Sequence, residues 1–196
     1  AIRSLIERAP LAGTLAQAFK AKGFRLALVG GPVRDAILGR LGNDLDFTTD
    51  AHPEVTKEIL KNWAEHIWDT GIEFGTIAGK RGDTTVEITT YRSDKYDPDS
   101  RKPEVEFGDN IEGDLSRRDF TVNAMALELT NEKPEFIDAF NGLADLTSKT
   151  LRTPVTPEQS FSDDPLRMMR AARFAAQLNF EISEDALKAM HEMRER

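Results

Sequence analysis

The chain contains no cysteine among its 196 residues, which excludes a disulfide framework and any thiolate-ligated metal centre. Histidine is nearly as scarce. His52, His66 and His191 are scattered and form no ligand pair such as HExxH, so no zinc site is expected. No apolar run is long enough to span a bilayer and no charged-then-apolar leader is seen, so a cytoplasmic protein that makes no use of a membrane is expected. An excess of positive charge is missing too. At a net charge of −8, the chain is not one that holds nucleic acid over its whole surface, and any such grip must be local or lie elsewhere. What is present is the composition of an ordinary globular protein, 39% hydrophobic and 31% charged. The length suits one sizeable core, or a main domain with a smaller appendage. The chain opens at Ala1 and closes inside a charged helical pattern, EDALKAMHEMRER, from which a piece of a longer protein is expected.

Hydrophobic periodicity predicts a helix over residues 5–20, then a short buried strand, FRLALV, bounded by Gly23 and Gly30. The turn Gly30–Gly31 breaks the strand, and Pro32 opens a short helix, because the missing proline N–H is not needed in a first helical turn. A strand carrying DLDF follows, then a helix from Pro53 over PEVTKEILKNWAE and a hairpin turning at Arg81–Gly82–Asp83. A polar loop over residues 93–103 precedes a further strand, EVEF. SRRDFTVNAMALEL passes from polar to apolar, FIDAFNGLADLTSKTLRT carries a turn at Asn141–Gly142, and the pattern is helical from Pro157 onward. Composition changes near Thr153–Pro154. The expected organisation is therefore an α+β domain over residues 1–153, a small mixed sheet with flanking helices, followed by a helical segment over residues 154–196.

The chemistry concentrates where strand, double glycine, short helix and acidic strand follow one another. Asp44 and Asp46 are two residues apart, so on a strand they face the same side, with Leu45 and Phe47 turned away. Two carboxylates that close repel each other unless a cation stands between them, and their hard oxygens suit Mg²⁺. Gly30 and Gly31 allow close approach to the backbone, and the helix that follows offers N–H groups that favour phosphate. Glu87, in TTVEITTYR, faces away from Val86 and Ile88 on a strand able to lie beside the first, and is the best candidate for a third acid. On its own it is more readily an exposed residue of an edge strand.

With these residues in place, LVGGPVRDAILGRLGNDLDFTTDA resembles the first motif of bacterial tRNA nucleotidyltransferases (CCA-adding enzymes) and of the related bacterial poly(A) polymerases. RRDFTVNAMAL resembles their second motif, DAFNGLADL their hinge motif, and DDPLRMMRAARF their nucleotide-selecting motif, in the family's order. The resemblance implies a polymerase-β-like palm followed by the start of a helical neck, with the body and tail that hold tRNA absent. It implies that Asp44 and Asp46 bind metal, that Glu87 is the third acid, and that Gly31, Arg34 and Arg118 contact the nucleotide. Asp119 and Asn123 are expected to shape the ribose side of the pocket.

In the last motif, Asp164 and Arg167 are three apart and are expected to share a helical face, with Arg170 and Arg173 extending a polar stripe. A plain surface ion pair is one reading of them. The other is a protein template. Cytosine and adenine each present an exocyclic amino donor beside a ring-nitrogen acceptor, which matches a carboxylate and a guanidinium; uracil and guanine present the reverse. Asp163 stands where the family has glutamate, and its shorter side chain is expected to alter a hydrogen bond holding Arg167 or the adjoining loop. The expected activity is addition of C and A to a tRNA 3′ end from CTP and ATP, with two Mg²⁺ ions and loss of pyrophosphate. A poly(A) polymerase, or an enzyme adding only CC or only A, shares these motifs, with the loop at residues 94–102 the candidate discriminator. A catalytically silent nucleotide-binding module is the alternative of another class.

Overall fold

The computed structural model describes residues 10–92, 107, 108 and 110–195. The loop expected at residues 94–102, the start of the first predicted helix and all but Phe107 of the EVEF strand lie outside the described residues.

Helix α1 (Pro10–Ala21) buries Ala12, Leu15, Ala16 and Phe19, an i, i+3, i+4, i+7 stripe against the sheet. Strand β1 (Leu26–Val29) is buried at every residue. Its even positions enter the main core, while Ala27 and Val29 enter a smaller cluster on the other face with Leu115, Ala124 and Ala126. Burial on both faces explains why FRLALV reads as a continuous apolar run instead of an alternation. After α2 (Gly31–Ile37), β2 (Asp44–Thr49) sends Leu45 and Phe47 into the main core. The next elements are α3 (Pro53–Lys61), β3 (His66–Trp68), a 3₁₀ turn (Ile72–Phe74), and the predicted hairpin of β4 (Thr76–Arg81) and β5 (Thr84–Thr90). Helix α4 (Ile111–Ser116), a 3₁₀ turn (Thr121–Asn123), β6 (Ala126–Glu128) and β7 (Glu135–Ile137) complete the main sheet. Its strand order is β3-β4-β5-β2-β1-β6-β7. Only β2 and β5 run parallel; the other neighbouring pairs are antiparallel, which makes the sheet mixed, as expected.

Two expectations need correction. The helix from Pro53 stops at Lys61, where Asn62 caps it, and does not run to Glu65. The residues beyond turn into the edge strand β3, half-exposed at Ile67 and exposed at His66 and Trp68. The region after Pro157 is not helical throughout. Helices α6 (Pro157–Asp163), α7 (Leu166–Leu178) and α8 (Glu184–Glu192) are interrupted by β9 (Glu181–Ile182), which pairs in parallel with β8 (Thr150–Leu151). Ala171 and Phe180 pack in the same core cluster as Leu151. The compositional change at residues 153 and 154 is thus bridged by main-chain pairing and by apolar packing.

Helix α5 (Gly142–Ser148) buttresses the 3₁₀ turn at Thr121–Asn123. The Asp138 carboxylate accepts from the N–H groups of Gly142 and Leu143 at 2.6 and 3.0 Å, and Thr121 Oγ1 donates to Asp145 at 2.6 Å. Gly142 lies so close that a Cβ would stand 2.2 Å from the Thr121 carbonyl oxygen, so no larger residue fits there. DAFNGLADL therefore fixes the position of the turn that carries Asn123. Among the described residues no helix is long and apolar enough to cross a membrane.

Candidate active site

The double-glycine turn carries the backbone from β1 across the mouth of a cleft of about 520 Å³. Gly30 adopts φ 75°, ψ −143°, a conformation that L side chains rarely take, and an added Cβ would stand 3.0 Å from Arg118 Nη1 and 4.0 Å from Asp46 Oδ2. Gly31 begins α2, close to the Arg34 guanidinium. Arg34, almost wholly buried, donates from Nη1 to Asn123 Oδ1 at 2.5 Å and from Nε to Asp35 at 3.0 Å. Asn123 Nδ2 donates in turn to Asp119 Oδ1 at 3.0 Å, which also accepts from the N–H of Phe120. The other oxygen, Asp119 Oδ2, makes an ion-pair contact with Arg170 Nη2 at 2.6 Å, without the alignment of a hydrogen bond. A chain of polar contacts thus runs Arg34–Asn123–Asp119–Arg170, from α2 through the RRD segment to α7. Phe174 sits at its end, with Arg34, Arg170 and Arg173 each 5.6–5.8 Å from its ring centre.

The acids stand as the strand reading requires. Asp44 and Asp46 project from the face of β2 opposite Leu45 and Phe47; Asp44 is exposed and Asp46 half-buried. Glu87 is the direct neighbour of Asp46 across the parallel β2–β5 pair and is exposed between the buried Val86 and Ile88. Burial pushes the Asp46 carboxyl up from 3.8 to about 6, with the Glu87 and Asp44 charges adding to the rise and Arg118 opposing it. This is a carboxylate short of positive charge. Oxygen donors facing one side suit a hard divalent cation. Among the described residues, no three His, Asp or Glu side chains are gathered closely enough to hold a metal ion as they stand.

The cleft gathers Gly30, Gly31, Arg34, Asp46, Arg118 and Asp119 with Asn123, Asp164, Arg167 and Arg170. Asp44, Glu87 and Arg173 are expected site residues that do not line it. The geometry of the last motif differs from expectation. Asp164 does not share a helical face with Arg167, because it precedes the helix, in extended backbone (φ −143°, ψ 96°) between α6 and α7. The cause is Pro165, whose ring disfavours helical backbone at the residue before it. Asp164 Oδ1 accepts from the Leu166 N–H at 3.1 Å. Arg167, 7% exposed, donates to Ser160 O and Oγ at 3.2 and 3.1 Å and to the Arg117 carbonyl. The surface ion pair is therefore not what these two residues form. Asp163 contacts Gln159 Nε2 at 2.6 Å.

Sequence reasoning did not assign Arg92, Arg117, Leu166 or Phe174 to the site, and all four line the cleft. It also missed Asp114, 1% exposed beneath the RRD segment, although its spacing from Arg117 and Arg118, i+3 and i+4, was a readable signal. The lining holds six arginines (34, 92, 117, 118, 167 and 170) against four aspartates (46, 119, 163 and 164), so a protein of net charge −8 presents a locally basic cleft.

Over most of its length this chain is similar in fold to solved structures of CCA-adding and tRNA nucleotidyltransferase enzymes. One is the Bacillus stearothermophilus CCA-adding enzyme in complex with CTP, with a TM-score of 0.81 and 34% identity over 94% of this chain and 43% of that one. Another is a tRNA nucleotidyltransferase complexed with a primer tRNA and an incoming ATP analog, with a TM-score of 0.73 and 35% identity over 91% and 49%. Residues 26–152 match the poly A polymerase head domain, and the chain belongs to that family. A curated relative, the CCA-adding enzyme of Enterococcus faecalis, is 45% identical over 173 residues, 88% of this chain and 41% of that protein. The chain spans about two fifths of the length of the curated relatives it matches.

Proposed function

We propose that this chain is the catalytic head and the start of the neck of a cytoplasmic nucleotidyltransferase that adds C and A to the 3′ end of tRNA from CTP and ATP, releasing pyrophosphate. The observation that carries the reading is the convergence of four separate segments on one basic cleft: the glycine turn, Asp46, the RRD segment and the Asp164–Arg167 corner. The similarity to CCA-adding enzymes supports it. The triphosphate lies at the glycine turn, facing Arg118 and Arg117, with the α-phosphorus toward Asp46. Arg34, Asn123 and Asp119 hold the sugar side through their mutual bonds, so the pocket is set before the nucleotide arrives. Asp164 and Arg167 face the base, and Arg170 and Arg173 flank them. The division into a head at residues 1–153 and a neck from residue 154 belongs to this reading: the two units meet at the cleft.

Asp44 and Asp46 would hold two Mg²⁺ ions, with Glu87 completing the set. Bound there, Mg²⁺ would supply Lewis-acid chemistry, lowering the pKa of an attacking 3′-hydroxyl and offsetting charge on the leaving pyrophosphate. The raised Asp46 carboxyl fits this role, because a cation is what would restore its charged form. The test is to incubate the full-length protein with tRNA lacking its 3′ CCA, supplying one nucleotide at a time, and to size the products. Two additions with CTP and a third that requires ATP are expected. A long ladder with ATP alone identifies a poly(A) polymerase, an activity the head-domain family also covers by name, and no extension with any nucleotide overturns the catalytic reading.

A further inference from the structure

Asp114 lies beneath the cleft floor and takes no part in the chemistry described above, yet it is one of the most buried charged groups in the protein, 1% exposed. Its carboxylate meets four partners from three directions. Oδ1 accepts from the main-chain N–H of Arg92 at 3.0 Å and from Arg117 Nη2 at 3.3 Å. Oδ2 accepts from Arg118 Nη2 at 3.4 Å and, at 3.3 Å, from Thr48 Oγ1, whose one proton is shared with the Thr89 carbonyl at 3.2 Å. Thr48 stands two residues beyond Asp46 on β2, on the same face, and Arg92 follows the end of β5. One carboxylate thus ties both arginines of the RRD segment to the strand that carries the acids. Arginine side chains are rich in rotamers, and fixing two of them costs binding energy unless it is done in advance. We propose that Asp114 is a positioning residue for the triphosphate: it holds the Arg117 and Arg118 guanidiniums in the cleft, registered on the Asp44–Asp46 strand.

The proposal rests on the reading of the cleft as a triphosphate site, and the experiment separates the two. Inorganic triphosphate serves as the probe, because it occupies the phosphate subsite and has no base or sugar. In the full-length enzyme it is titrated as a competitive inhibitor against CTP, in wild type, Asp114→Asn, Arg118→Ala and the double variant. Asn keeps the shape and an acceptor oxygen but removes the charge that gathers the two guanidiniums. About a tenfold rise in the inhibition constant and in the KM for CTP is expected for Asp114→Asn, with a smaller change in kcat. The double variant should lose no more than Arg118→Ala alone plus the share carried by Arg117, so the effects are less than additive. A role confined to stability lowers the thermal midpoint and the active fraction but leaves the inhibition constant unchanged, and that outcome overturns the proposal. Should Asp114→Asn fail to fold, Thr48→Val decides. It removes one neutral tether of the carboxylate, so a raised inhibition constant supports the proposal and an unchanged one overturns it. If triphosphate does not compete with CTP in wild type, the cleft reading itself falls.

Discussion

At the scale of single residues, Asp46 is where structure and chemistry conflict most openly. Packing holds it half-buried beside Glu87 and two residues from Asp44, and burial first, then those charges, lift its carboxyl from 3.8 to about 6. The folded state therefore binds a proton between these two values that the unfolded chain has already released. The sign follows from linkage: stability is present below pH 4 and is lost as the pH rises toward 6, by about 2–3 kcal/mol from this residue in the absence of metal. Asp46→Asn removes the penalty. Above pH 6 the variant should be the more stable protein, below pH 4 the two should converge, and transfer activity should be lost throughout. Urea denaturation of both proteins in chelator, at several pH values from 4 to 8, reads the difference directly. A gap between them that stays constant with pH would show that Asp46 does not carry the raised pKa. If Asp44 and Asp46 hold metal as proposed, the same logic explains why a strand can keep an unfavourable pair of acids: the cost falls on the metal-free state and would be relieved by bound cations.

At the scale of elements, what was legible in the sequence was what is local. β1, the glycine turn, the Asp44–Asp46 strand and the hairpin of β4 and β5 each declare themselves within a short stretch of sequence, through burial on both faces, a breaker or an alternation. β3 was not legible, because a three-residue edge strand with one half-buried side chain leaves no pattern. Nor was the β8–β9 pairing, two residues long, between Thr150–Leu151 and Glu181–Ile182, far apart in sequence. The break between α6 and α7 was legible in principle, since Pro165 follows Asp164, but helical spacing of Asp164 and Arg167 was the more conspicuous signal and it misled. The corner bears on the proposed role of these two residues in base selection. Asp164 is held by the turn before α7, whereas Arg167 is held on α7 by Ser160 and the Arg117 carbonyl, so the two groups are set independently. Arg167→Ala and Asp164→Ala should each slow incorporation of C and A and reduce the preference over U and G, by roughly 1–3 kcal/mol of discrimination for each lost base contact. Arg167→Ala also leaves a cavity and unpaired acceptors, so overall rate is not the measure. The ratio of incorporation rates for the four triphosphates in the full-length enzyme is the measure, and an unchanged ratio in both variants removes the template role while leaving the nucleotidyltransferase reading intact.

At the scale of the whole molecule, charge distinguishes the two proposed substrates. Six arginines against four aspartates line the cleft, and the whole chain carries −8. A small, highly charged triphosphate responds to the local field of the cleft, where facing walls and low exposure strengthen each contact. A tRNA responds to the field over tens of ångströms, and its affinity grows with the number of phosphates neutralised. The 196-residue chain should therefore bind CTP or ATP with Mg²⁺ on its own but tRNA only weakly. Ten times the dissociation constant of nucleotide adds about 1.4 kcal/mol to the folded state, which for a chain of this size raises the thermal midpoint by roughly 3–6 °C. UTP and GTP should raise it less, since the base-facing pair disfavours them. Thermal denaturation with each of the four nucleotides, beside a tRNA titration at two salt concentrations, tests both halves. Equal shifts with all four nucleotides would place selection outside these residues. Tight tRNA binding that weakens steeply with salt would reveal a basic surface that the cleft and the net charge do not supply, and would overturn the division of labour between this chain and the rest of the enzyme.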